Sequence, residues 1–205
     1  QIGKGRTDFD NTGLALGTFK TGQATVVTTD RAYVTAGTAA TGLSGSDLVI
    51  NGIAINASLA TDDTASYANT ASTKAASAIA IAAAINKKAD QTGVRAVAEA
   101  NVLRGTGFTA GTAFDAYING VTVNINSITR DNVIDGINSK SGETGVVARA
   151  YGTGIELVAI DGRNVAIATS AATAANMGLT GLDIAVSAGS AGAANVFYAG
   201  VRLES

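Results

Sequence analysis

Carboxylates are the side chains of this sequence best equipped for chemistry, because 16 Asp and Glu residues are present and His and Cys are absent. The adjacent pair Asp62-Asp63, together with Glu99, Asp115, Asp135, Glu143, Glu156 and Asp161, could supply the two carboxyl groups of a glycoside hydrolase. That reaction needs a pair about 5 to 9.5 Å apart across the scissile bond. The expectation is different: most of these residues fall in predicted turns or on solvated faces, where charge normally resides. Without His there is no Ser-His-Asp triad and no imidazole metal site; without Cys there are no disulfides and no thiolate ligands. Asp161-Gly162-Arg163-Asn164 lacks the alternating oxygen ligands of a calcium loop. Gly105-Thr106-Gly107 joins no strand to a helix carrying a Lys-Ser/Thr pair, so it reads as a turn rather than a phosphate cradle. No residue is therefore assigned a catalytic, cofactor-binding or metal-ligating role, no cofactor is expected, and the chain is read as a non-enzyme.

The remaining composition narrows the partners. A chain of 205 residues with a net charge of −2 and its Lys and Arg scattered offers no basic stripe for nucleic acid. Its longest apolar run, Ala75 to Ile85, is interrupted by Ser77 and falls short of the roughly 18 to 20 residues a membrane span needs. The opening Gln1-Ile2-Gly3-Lys4-Gly5 has no apolar leader region, and the missing initiator Met suggests an excised piece whose export signals could lie in flanking sequence. Trp is absent and Ala abundant, so a core of Ile, Val, Leu and Ala in thin layers is expected.

The elements that would position these residues are legible as a repeat. Asp47-Leu48-Val49-Ile50-Asn51-Gly52-Ile53-Ala54-Ile55 and Asp115-Ala116-Tyr117-Ile118-Asn119-Gly120-Val121-Thr122-Val123 both alternate about an Asn-Gly pair. Such a pair predicts a type I′ hairpin turn, in which both central residues take positive φ. A helix follows in each copy. Ser72 or Thr73 is expected to cap the first, with Ala78, Ile81, Ala82 and Ile85 on one face and Gly93 ending the turn. Thr129 is expected to cap the second, which carries Val133, Ile134 and Ile137, is weakened by Gly136 and is read as the shorter. Each runs through Ile-Asn, at Ile85-Asn86 and Ile137-Asn138, into a strand beginning at Gly93 or Gly145.

The turns lie 68 positions apart and the helix ends 52 apart, so the first copy holds 16 additional residues within Ser58 to Thr73, expected to form a surface loop. A further hairpin is predicted across Gly154 to Ile167 with Asp161-Gly162 in its turn, then a short helix over Ala171 to Met177 ending at Gly178. The tail should return a strand near the start, where Ala24 to Thr28 and Ala32 to Thr35 also read as strands. The implied class is α+β: mainly antiparallel β with short helices packed on the sheets, in two ββαββ-like repeats. The organisation is a β-rich base from 1–46 and 179–205, a first repeat over 47–106 and a second over 107–178.

The second copy, through Tyr117-Ile118-Asn119-Gly120, Ile137-Asn138-Ser139-Lys140, Thr144-Gly145-Val146 and Asp161-Gly162-Arg163-Asn164-Val165, resembles the flagellin hook IN motif of flagellins and other flagellar axial proteins. The first copy keeps Ile50-Asn51-Gly52, Ile85-Asn86 and Thr92-Gly93-Val94. Gln1-Ile2-Gly3 and Ala174-Ala175-Asn176-Met177-Gly178-Leu179 are similar to the points where a flagellin chain leaves and re-enters its helical core. The resemblance implies the variable, surface-exposed outer region of a bacterial flagellin: extracellular, structural and antigenic, and supporting motility. It implies as partners the neighbouring flagellin subunits, host antibodies and possible O-glycans on Ser and Thr, with no nucleic acid and no membrane. The family's long terminal helices have no counterpart here, so polymerisation and innate-receptor binding are not carried over, and the isolated fragment is expected to be monomeric. Asn56-Ala57-Ser58 matches an N-glycosylation sequon, a pattern common by chance. Arg130-Asp131 is read as a solvated Arg beside an Asp that complements the helix dipole. Two rival readings are the outer domain of a filament-cap or hook-associated protein with an adhesin role, and a carbohydrate-active module.

Overall fold

The computed structural model describes residues 40–69, 73–126, 129–186 and 194–205; the strands expected at Ala24 to Thr28 and Ala32 to Thr35 lie outside them. The first Asn-Gly pair forms a small hairpin, β1 (Val49–Ile50) to β2 (Ile53–Ala54), with Asn51 at φ 51° and Gly52 at φ 83°. The second joins β5 (Phe114–Ile118) to β6 (Val121–Ile125), with Asn119 at φ 49° and Gly120 at φ 82°. Both turns have the positive φ at two successive residues that a type I′ turn demands.

Helix α1 (Ala78–Asn86) with the short α2 (Ala89–Thr92) follows the first hairpin and leads to β3 (Arg95–Ala98) and β4 (Asn101–Arg104). Helix α3 (Arg130–Ser139) with the short α4 (Ser141–Thr144) follows the second and leads to β7 (Val147–Tyr151) and β8 (Gly154–Ala159). The ββαββ order thus occurs twice. The remaining described strands are β9 (Val165–Thr169), β10 (Ala185–Val186), β11 (Asn195–Phe197) and β12 (Val201–Glu204). Pairing among the described residues is antiparallel except for β10, which runs parallel to β9. The chain is α+β, mainly antiparallel, with short helices.

The largest core lies between the sheet β4-β8-β7 and the sheet β10-β9-β5-β6, in which β11 also pairs β9. Alternation directs Leu103, Leu157 and Ala148 of the first sheet and Ile118, Val123, Ile125 and Ile167 of the second into this core, and α3 closes it with Val133 and Ile137. Each fully buried Ile or Leu contributes about 1.5 to 3 kcal/mol of transfer free energy. A smaller, Ala-rich core packs α1 against β3 and β12 through Ala78, Ala82, Ile85, Ala96 and Val201. This is the thin layer that the composition implies.

Several local expectations are overturned. Ser77, rather than Ser72 or Thr73, caps α1: its hydroxyl accepts from the Ala80 N–H at 3.0 Å, while the Thr73 hydroxyl donates to the Ala40 carbonyl and a 3-10 turn, Lys74–Ala76, intervenes. Helix α3 is not the shorter one, spanning 10 residues against 9 in α1. A Cβ at Gly136 would lie 2.6 Å from Ile125 Cδ1, so the glycine exchanges helix propensity for close contact with β6. The segment Gly154 to Ile167 is not a hairpin. Gly162, at φ 79°, turns the chain from one sheet to the other, because the edges of β9 are already taken by β5 on one side and β10 and β11 on the other.

The expected helix over Ala171 to Met177 is a single hydrogen-bonded turn ending at Gly178, φ 74°. It is tied by Asn176, which accepts from Thr173 N at 3.1 Å and donates to Thr109 O at 2.9 Å. Among the described residues β12 pairs β3, and β4 pairs β8 of the second repeat, across the 106/107 division; the first residues, near which the tail is expected to return, lie outside the described residues. The segment that holds the 16 additional residues is only partly a surface loop: Leu59, Ala60, Thr61, Thr64 and Ala68 are exposed, but Ser58, Asp63 and Ser66 are buried. Tyr67 and Ala76 cover Tyr117, Ala166, Ala168 and Val196 on the second face of the β9-β5 sheet. With Ala40, Ala194 and Tyr198 also packed there, β9 and β11 are buried along their whole length.

Candidate functional site

The residues that carry the repeat form two matching polar clasps. Asn86, at the last residue of α1, donates from Nδ2 to the Ala96 carbonyl and accepts from the Ala96 N–H, both at 2.8 Å. Asn138, on the last turn of α3, does the same with Ala148, at 2.9 and 2.8 Å. A side-chain amide presents a C=O and an N–H in one plane, as a peptide does, so each Asn stands in for one residue of a neighbouring strand. Ala96 and Ala148 thereby direct their backbone groups away from β12 and β8, which makes them the non-hydrogen-bonded members of those ladders.

One step along each edge, a threonine repeats the device. The Thr92 hydroxyl accepts from Val94 N at 3.1 Å, and the Thr144 hydroxyl accepts from Val146 N at 3.1 Å. The hairpin asparagines complete the set, Asn51 donating to Thr92 O at 2.7 Å and Asn119 to Thr144 O at 2.8 Å. Gly93 and Gly145, at φ 70° and 71°, let the chain leave α2 and α4 toward the clasped strand. Asn119 carries one more bond, accepting from Ala166 N at 2.8 Å, which ties the turn to β9. The arrangement satisfies strand edges that could otherwise template pairing with other chains. The motif residues Asn51, Asn86, Asn119 and Asn138, and the threonines Thr92 and Thr144 that the two turns reach, are visible in the sequence as a repeat; the partners of Asn86 and Asn138, Ala96 and Ala148, ten residues downstream, have no sequence signal beyond the shared spacing.

The carboxylates are dispersed. Asp62 pairs with Lys87 at 2.6 Å, Glu143 with Lys140 at 2.7 Å and Glu99 with Arg202 at 3.2 Å, while Asp115 accepts from Asn124 at 2.7 Å. Asp131 and Asp135 are exposed. Two carboxylates depart from the expected solvated positions. Asp63 is 2 % exposed and accepts from Ala65 N and Ser66 N, both at 2.9 Å. Burial raises its pKa, but hydrogen bonds from Ser66, Ser77 and the backbone outweigh that and hold it below the usual value. Glu156 is likewise 2 % exposed, between Arg104 and Arg149. Asp161 is drawn down against its partial burial by Arg163, whose Nη2 lies 2.7 Å from Oδ2. Arg130 is not merely solvated: its Nη1 donates to the Gly152 carbonyl at 2.7 Å.

A cavity of about 310 Å³ is lined by Ala89, Asp90, Gly93, Arg95, Glu204 and Ser205. It brings Asp90 and Glu204, neither of them a sequence candidate, to one rim, with Glu204 Oε1 2.5 Å from Arg202 Nη1. None of the carboxylates singled out from the sequence lines it. Among the described residues no group of three or more acidic, His or Cys side chains could hold a metal ion, and no helix is long and apolar enough to cross a membrane.

No protein-family model and no curated protein matches the chain.

Proposed function

We propose that this chain is the structural and antigenic outer region of a bacterial flagellar filament subunit, exposed outside the cell and supporting motility. The observation that supports this most is the recurrence of one set of bonds in the two repeats. Each Asn-Gly turn donates to a threonine carbonyl, and each Ile-Asn helix end occupies both backbone groups of a strand residue ten positions on. These are the positions through which the sequence resembles the outer repeats of flagellar axial proteins. A domain whose work is mechanical gains from such an arrangement, because satisfied strand edges let many copies crowd together without indiscriminate strand pairing. In this reading neighbouring subunits and host antibodies are the partners, and exposed Ser and Thr are the sites for O-glycans.

Electron microscopy of filaments from a strain whose filament gene lacks this segment tests the proposal. Filaments should still assemble but be thinner. Filaments of unchanged diameter, or complete failure to assemble with a stable truncated subunit, would overturn it.

A further inference from the structure

The outer face of sheet β4-β8-β7 is laid out in rows across its strands. Val102, Val158 and Val147 are neighbours in one row, and Arg104, Glu156 and Arg149 in the next. Gly154 and Tyr151 form a third. Strand alternation places all of these opposite Leu103, Leu157 and Ala148, which fill the core.

The central row is built on a buried charge. Glu156 is 2 % exposed, with Arg149 Nε 2.5 Å from its Oε1 and Arg104 Nε 2.6 Å from its Oε2. The Arg104 guanidinium also lies 5.2 Å from the centroid of the Tyr151 ring. The arginine side chains remain 53 % and 65 % exposed. One arginine balances Glu156, so the second leaves surplus positive charge on a chain whose net charge is −2. Both arginines meet Glu156 through Nε, and their Nη groups, the prongs that bind carboxylates bidentately, have no hydrogen-bond partner within the described residues. Around them Val147 and Tyr151 are 51 % and 46 % exposed.

We propose that this face docks an extended acidic segment of a partner protein. Its Asp or Glu carboxylate is received by Arg104 and Arg149, and an aliphatic side chain two residues away lies on the valine row. The spacing fits: the valine and arginine rows are two residues apart along β8, about 6.6 Å, which is the distance between same-face side chains of an extended peptide. Charge complementarity selects an acidic partner. Arg and Tyr beside aliphatic side chains is also the composition of interface centres, and the buried Glu156 hydrogen-bonds Arg149 and forms an ion pair with Arg104 before binding.

The test titrates the 15N-labelled full chain with an acetylated Val-Ser-Glu-Ser-Val-Ser-Glu peptide, its Gln counterpart, an oligoglucuronate and sodium sulfate. The Glu peptide should shift the amide signals of Arg104, Arg149 and Tyr151, and the Gln peptide should not. Arg104→Gln and Arg149→Gln should each weaken binding about tenfold or more. Arg149→Lys keeps an ion pair with Glu156 and should still weaken binding, because the fork is lost. Equal binding of the Gln peptide, shifts mapping to another face, or unchanged affinity in all three variants would overturn the proposal. Equal shifts with sulfate would mean an adventitious ion only, and tighter binding of oligoglucuronate would mean a carbohydrate occupant; either result also overturns it.

Discussion

Gly52 and Gly120 form a matched pair that separates backbone strain from packing. Both are the second central residue of an Asn-Gly turn, at φ 83° and 82°, so alanine at either must adopt a left-handed conformation, costing roughly 1 to 2 kcal/mol. Stiffening the unfolded chain returns about 0.4 to 1 kcal/mol of that at both sites. Their surroundings differ. Nothing lies within 4 Å of a Cβ at Gly52, whereas a Cβ at Gly120 would sit 2.4 Å from Tyr67 Cε2 and 2.8 Å from Cζ. Tyr67 must then swing away from the sheet it covers, and overpacking of this kind costs about 1 to 3 kcal/mol. Gly52→Ala should therefore destabilise by about 1 kcal/mol and Gly120→Ala by about 2 to 4 kcal/mol. Urea denaturation of each variant, followed by far-UV circular dichroism, gives both values. A Tyr67→Ala background should remove most of the difference, which would appear as a coupling of about 1 kcal/mol or more in the double-mutant cycle. Equal losses at the two glycines, or additivity with Tyr67→Ala, would refute the claim that Tyr67 packs on the second turn.

Asn138→Ala should cost about 1 to 3 kcal/mol, since it strips partners from both backbone groups of Ala148. Faster hydrogen exchange at the Ala148 amide than at Arg149 would locate the damage, and an unchanged Ala148 rate would contradict the clasp. Ser77→Ala should cost about 1 kcal/mol by removing the cap of α1, whereas Thr73→Ala should leave the helix cap intact; circular dichroism and denaturation midpoints compare the two. Because the pKa of folded Asp63 lies below its unfolded value, its ionised form adds stability above about pH 4 that is lost as the pH falls through the folded value. Asp63→Asn should flatten the acid limb of a stability profile measured between pH 2 and 6, chosen to span the ordinary carboxylate range of about 4. A profile as steep as that of the parent would assign the acid sensitivity elsewhere.

The local grammar of this fold was legible because local chemistry specifies it. Asn-Gly pairs admit positive φ at two successive residues, and both became type I′ turns. Apolar spacing at Ala78, Ala82 and Ile85, and at Val133 and Ile137, placed both helices and their buried faces. What failed was long-range partnership. Asp161-Gly162 has the same composition as a hairpin turn, yet β9 pairs with β5 and β11 and β8 with β4 and β7, so the two strands flanking the turn part company. The polar stretch from Ser58 to Thr73 looked solvated because Ser58, Asp63 and Ser66 are hydrophilic. Each nevertheless has hydrogen-bond partners in the interior, including Asn164 N, which donates to Ser66 Oγ across 98 positions. Glu156 was hidden for a similar reason: its two arginines lie on different strands, and only the registers of β4, β8 and β7 bring them together. The clasps fall between these cases, their residues evident from the repeat and their bonds evident only in three dimensions.

The pairing of β12 with β3 has a consequence for how the chain must assemble. Val201 lies opposite Ala98, so everything from β4 to β11 is threaded between the two halves of one ladder. The second repeat has its β5-β6 and β7-β8 partners close by and can condense early, whereas the first has a sheet that stays half-built until Val201 to Glu204 have been synthesised and have found it. Closing a loop of that length carries an entropic penalty that grows only slowly with its size, but such non-local ladders form late and slowly. On the ribosome, α1 and β3 can therefore pack on each other through Ile85 and Ala96 but lack the cover of Val201 until then, the interval in which a nascent chain is most open to chaperones and to misassembly with its neighbours.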